Sequence, residues 1–96
     1  MMMPEEISVQ LGARAKALRL LGGWKRITLA ARAGVTVASL KRFEQTGKAS
    51  LALVLRVALS LGRLEEFTGL LKSPPARSLD ELEQRAAQPT RKRGAK

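Results

Sequence analysis

Val37, Ala38, Lys41 and Arg42 recur at a spacing that puts them on one side of a helix, and their types suit contact with something outside. Two small apolar groups followed by two cations let a surface approach closely and then be gripped by charge. Leu40 and Phe43, three apart, read as the buried side of the same stretch. Other chemistry finds little material. The chain has no cysteine and no histidine, so disulfides, thiolate sites and the usual zinc or copper ligands are excluded, and no metal or cofactor is expected. Ser39 and Ser50 lack a histidine to activate them and read as helix-surface and cap residues. Glu65, Glu66, Asp80, Glu81 and Glu83 fall on helix surfaces where solvation is the default, and no glycine-rich phosphate loop is present. An enzyme is not expected.

The 96 residues carry a net charge of +10, unevenly placed. Between Ile7 and Gly62 stand Arg14, Lys16, Arg19, Lys25, Arg26, Arg32, Lys41, Arg42, Lys48 and Arg56, against the single anion Glu44. Such a field attracts a polyanion, and nucleic acid is the commonest. Single-stranded nucleic acid calls for exposed aromatic platforms. Trp24, Phe43 and Phe67 instead fall at expected core or interface positions, which favours duplex. The longest unbroken apolar run, Leu51 to Leu55, is far short of the roughly 20 residues a spanning helix needs. Met1 to Pro4, followed by Glu5-Glu6, lacks the basic start and apolar centre of a signal peptide. A cytoplasmic, nucleoid-associated protein is the expectation.

The elements that position those four side chains follow from local signals, and the length suits one small domain. Ser8 is placed to cap a first helix running to about Leu21, with Val9 or Leu11, Ala15, Leu18 and Leu21 as its buried stripe. Gly22-Gly23 ends it, and Trp24 turns into the core. Ile27, Leu29, Ala30 and Ala33 mark a second helix, and Gly34 can end it in the left-handed conformation. Thr36 can then cap a third helix, with Val35 as a hydrophobic staple and Gly47 as its stop. Two helices joined within about three residues are what a helix-turn-helix requires. Ser50 caps a fourth helix, Leu51 to Leu61, whose face Leu51, Val54, Leu55, Ala58 and Leu61 is joined by further apolar residues at Leu53, Val57 and Leu59. A helix apolar nearly all round is buried on more than one side, by another element or by a second copy of the chain. Leu64, Phe67, Leu70 and Leu71 mark a fifth helix that would either complete such a dimer face or cap the domain's own core.

With these positions in hand, residues 8–62 resemble the phage-repressor-like helix-turn-helix family, the Xre type that includes the lambda and Cro repressors. The resemblance is carried by Leu29-Ala30, Gly34-Val35, Leu40, Glu44, Gly47, Ser50-Leu51 and Leu61-Gly62, which agree in register without a gap. The apolar surplus of the fourth and fifth helices places Leu53, Val57, Leu59, Leu64 and Phe67 at the interface of a homodimer, and the resemblance implies an all-α, five-helix fold on double-stranded DNA. It implies that Val37, Ala38, Lys41 and Arg42 face base edges in the major groove. Phosphate contacts are implied for Lys25, Arg26, Ile27, Thr36, Ser39, Lys48 and Ala49. An ion pair between Arg19 and Glu44 would lock the first helix to the third. Two departures matter: Arg26 stands where the family usually has glutamine, and Val37 and Ala38 replace amides that read adenine. Lys41 and Arg42 are left to read guanine or to bind phosphate.

The corresponding division of the chain is a flexible start over 1–7, a DNA-binding domain over 8–72 and a proline linker over 73–77. Ser78 and Glu81 form a capping box for a short helix over 78–88, and a disordered basic tail follows over 89–96. The length and this tail also resemble small antitoxins of the HipB type, encoded beside HipA-like kinases. That resemblance implies a toxin partner held along Leu64 to Leu82, with DNA binding serving to regulate the pair's own operon.

Overall fold

Each described α-helix stops where a local signal tells it to. The computed structural model describes residues 2–75, which form four α-helices, α1 Pro4–Leu21, α2 Arg26–Ala33, α3 Val37–Thr46 and α4 Leu51–Ser60, followed by a 3-10 turn, Leu64–Phe67. The described residues contain no strand, so the architecture is all-α. None of these helices is long and apolar enough to cross a membrane.

Helix α1 begins four residues before the Ser8 expected to cap it, so residues 4–7 belong to the helix rather than to a flexible start. Pro4 occupies the first turn, where its missing N–H costs nothing, and Glu5 and Glu6 sit against the positive end of the helix dipole. Its inward side is Leu11, Gly12, Ala15, Leu18 and Arg19, while Val9 and Leu21 point to solvent and drop out of the expected stripe.

Gly34 ends α2 at φ 71°, a conformation that a Cβ would oppose, and the Val35 N–H returns to the Ala30 carbonyl at 3.0 Å. Two residues later the Thr36 hydroxyl accepts the Ser39 N–H at 3.0 Å and α3 starts. Ser50 accepts the Leu53 N–H at 3.1 Å in the same manner and starts α4.

Leu29, Leu40 and Val57, one from each of α2, α3 and α4, are the largest fully buried side chains. Ala15, Ala30, Ala33 and Phe43 close around them, with Leu11, Trp24, Val35, Leu53, Val54 and Leu61 packed at the edge. Small residues let α1 and α3 approach: a Cβ on Gly12 would collide with the Phe43 carbonyl, and one on Gly47 with the Ser8 backbone.

Where a fifth α-helix was expected from Leu64 there is a single 3-10 turn, Leu64–Phe67. Thr68 and Gly69 propagate a helix poorly, and Leu70 and Leu71 lie exposed beyond them, with Leu71 at φ 61°. Leu51, in the first turn of α4, is also exposed and falls outside the apolar face assigned to it. The expected helix over 78–88 and the basic tail over 89–96 lie outside the described residues, as does the end of the 73–77 linker.

Candidate nucleic-acid interface

Helix α3 has two sides with different occupations. Leu40, Phe43 and Glu44 are buried, at the i, i+3, i+4 spacing of one face. Val37, Ala38, Lys41 and Arg42 are exposed on the other, and the side chains of Lys41 and Arg42 make no hydrogen bond or ion pair among the described residues. Gln45 shares that side, four residues after Lys41 and eight after Val37. Sequence reasoning passed it over, although the helical spacing that selected the other four includes it.

The buried side is fixed by charge as well as packing. The Glu44 side chain is 0% exposed, and Arg19 reaches it from α1 with Nε 2.7 Å from Oε2 and Nη2 3.0 Å from Oε1. This is a side-on bidentate pair, the stronger kind of charge-assisted hydrogen bond. Nη1 of Arg19 donates to the Trp24 carbonyl at 2.9 Å. A second guanidinium arrives from α2, where Arg26 sets Nε 3.1 Å and Nη2 3.0 Å from Oε1. Among the described residues no buried side-chain nitrogen or oxygen lacks a hydrogen-bond partner. Three helices therefore meet at one carboxylate.

The corner between α2 and α3 is held from other directions too. Arg56 of α4 donates to the Gly34 carbonyl at 3.3 Å, and Arg32 lies over the Trp24 ring, 4.6 Å from its centroid. Both arginines were legible only as positive charge, since their partners are distant in sequence.

The flanks of α3 differ in part from what the resemblance implied. Lys25 and Ile27 are exposed at the start of α2, where first-turn N–H groups have no helical partner. Arg26 beside them is turned inward onto Glu44, which the sequence did not indicate. Thr36 and Ser39 are engaged with each other: besides the cap, the Thr36 hydroxyl donates to Ser39 Oγ at 2.8 Å. The Lys48 N–H donates to Thr46 Oγ1 at 3.1 Å, so its ammonium rather than its amide is the group free to act. Ala49 is exposed beside it.

The five residues implied for a dimer interface do not share one surface. Val57 is 1% exposed and belongs to the chain's own core, because α4 turns that side toward Leu29 and Leu40. Leu53 packs at the core edge, and Leu64 and Phe67 are half-buried. Leu59 is 63% exposed. An apolar groove of about 350 Å³ opens between α1, α4 and the 3-10 turn, lined by Leu11, Leu18, Val54, Leu61 and Phe67 with Arg14 and Arg63 among its lining residues.

Taken as chemistry, the exposed side of α3 offers two cations, an amide and two small apolar groups, on a helix immobilised from behind. No family model, curated protein or solved structure matches the chain.

Proposed function

We propose that the protein is a sequence-specific transcriptional regulator, a repressor, that binds duplex DNA as a homodimer and lays α3 in the major groove. The observation that carries this reading is the exposed side of α3, small at its start and cationic further along, backed by a buried carboxylate tied to two other helices. In this reading α2 and α3 are a helix-turn-helix of the lambda-repressor-like kind. That agrees with the resemblance in Leu29-Ala30, Gly34-Val35, Leu40, Glu44 and Gly47.

The roles follow from the groups available. Val37 and Ala38 at the start of α3 offer only apolar contact, for which a thymine methyl is the natural counterpart. Lys41 and Arg42 suit guanine, whose major-groove edge presents two acceptors. Lys25 and Lys48 hold phosphates to either side, positioning the helix without reading sequence.

The test is duplex binding as a function of salt, on a site first selected from a random pool. If the dimer neutralises ~6–10 phosphates, affinity falls ~10³–10⁵-fold between about 50 and 200 mM salt. An affinity indifferent to salt would remove the electrostatic basis of the reading.

A further inference from the structure

The groove between α1, α4 and the 3-10 turn is apolar and open. Leu11, Leu18, Val54, Leu61 and Phe67 line it and are all half-buried, so each leaves apolar surface uncovered. Two exposed cations also line it, Arg14 from α1 and Arg63 at the start of the turn. Arg63 pairs with Glu66 at 2.8 Å. Arg14 has no carboxylate partner among the described residues and meets only Oε1 of Gln10, at 3.4 Å. The occupant that suits such a groove brings apolar side chains a helical turn apart with negative charge beside them.

The chain itself contains a stretch of that kind. Leu79, Leu82 and Ala86 fall on one side at helical spacing, with Asp80, Glu81 and Glu83 among them. Residues 78–84 hold three acids and no cation, in a chain whose net charge is +10. A helix this short is marginal by itself, and a groove to pack against supplies the contacts it lacks. Reach favours the same occupant. Phe67 is part of the groove wall and precedes Leu79 by twelve residues, a link that extends up to ~40 Å. A segment tethered so closely acts at an effective concentration of about millimolar, which a separate partner has to outcompete. A second copy of residues 2–75 brings mostly positive charge to a groove that already carries two arginines. We propose that residues 78–88 dock in this groove of their own chain, seating Leu79 and Leu82 between α1 and α4 and setting their acids toward Arg14. The docking does not depend on what α3 binds.

The experiment uses the full chain and nuclear magnetic resonance. With no native cysteine, Gln84→Cys takes a single nitroxide label, on the side of the segment away from the leucines. Isotope-labelled chains carrying the nitroxide are diluted into a large excess of unlabelled wild type, so that each chain is read against its own label. The nitroxide is expected to broaden the resonances of Leu11, Leu18 and Leu61 and to spare Val37, on the exposed side of α3. Adding Leu82→Asp is expected to abolish the broadening, and adding Arg14→Glu to diminish it; Arg14 is exposed, so its replacement leaves the fold intact. Broadening seen only when nitroxide and isotope sit on different copies would give the groove to a second copy. No broadening in either sample would leave it to an outside partner, and broadening undiminished by Leu82→Asp or Arg14→Glu would come from some other contact. Each of these three results overturns the proposal.

Discussion

Glu44 illustrates how much one buried charge can hold. Replaced by alanine, it would leave Arg19 in place with its side chain 7% exposed and no carboxylate to receive it. Breaking a buried pair from one side in this way costs about 3–5 kcal/mol, because the partner stays desolvated and uncompensated. Urea unfolding of Glu44→Ala is expected to show that loss, and a change below about 1 kcal/mol would place the pair with the weak surface bridges instead. Lys41 and Arg42 should behave in the opposite way. Each is exposed and unpaired among the described residues, so truncation to alanine should leave stability within about 0.5 kcal/mol. If they read bases, the same truncation costs roughly 1–3 kcal/mol on the cognate duplex and relaxes the preference at one position. A loss of equal size on every sequence would assign them to phosphate.

At the scale of elements, the corner and the three helices around it stand on a few residues whose effects separate. Leu40 is fully buried, so Leu40→Ala should cost ~2–5 kcal/mol, the range for a large core truncation. Thr36→Ala removes the cap bond to the Ser39 N–H together with the exposed hydroxyl contact to Ser39 Oγ, and should cost about 1 kcal/mol. Calorimetric melts of the two variants that fail to rank this way would mean that α3 is held by its end rather than by its face. Gly34, Thr36, Ser50 and Leu40 were legible in sequence because each acts through its own backbone or through helical spacing. Gly12 was not legible. Its role is to let α1 approach the Phe43 carbonyl, and no local pattern reports a neighbour 31 residues away. The Arg26 contact to Glu44 was hidden for the same reason. Ser8 and Pro4 are both legitimate start signals, and the one backed by Glu5 and Glu6 prevailed. The 3-10 turn at Leu64 misled because Leu64, Phe67, Leu70 and Leu71 have helical spacing, while Thr68-Gly69 between them propagates a helix poorly.

At the scale of the molecule, the net +9 of residues 7–62 would give the proposed attraction to DNA but not a choice of site, since long-range charge acts alike on every sequence. Choice requires fixed geometry, and the proposed two-fold dimer would supply it by spacing two copies of α3 ~34 Å apart, one turn of the duplex. Sequence showed that α4 is apolar nearly all round without showing which side turns inward. With Val57 committed to the chain's own core, a second copy in the proposed dimer would draw first on the exposed Leu59. Leu59→Glu tests this without confounding by misfolding, because a side chain 63% exposed contributes little to the fold of one copy. Sedimentation should give a dimer for wild type and a monomer for the variant, each with the same melting profile once dissociated. On DNA, the variant should lose affinity for a duplex carrying two half-sites while binding one isolated half-site as wild type does, since two linked contacts gain far more than one. A variant that remains dimeric would move the interface off this part of α4, and a wild type that is monomeric on its two-half-site duplex would leave sequence choice to a single α3.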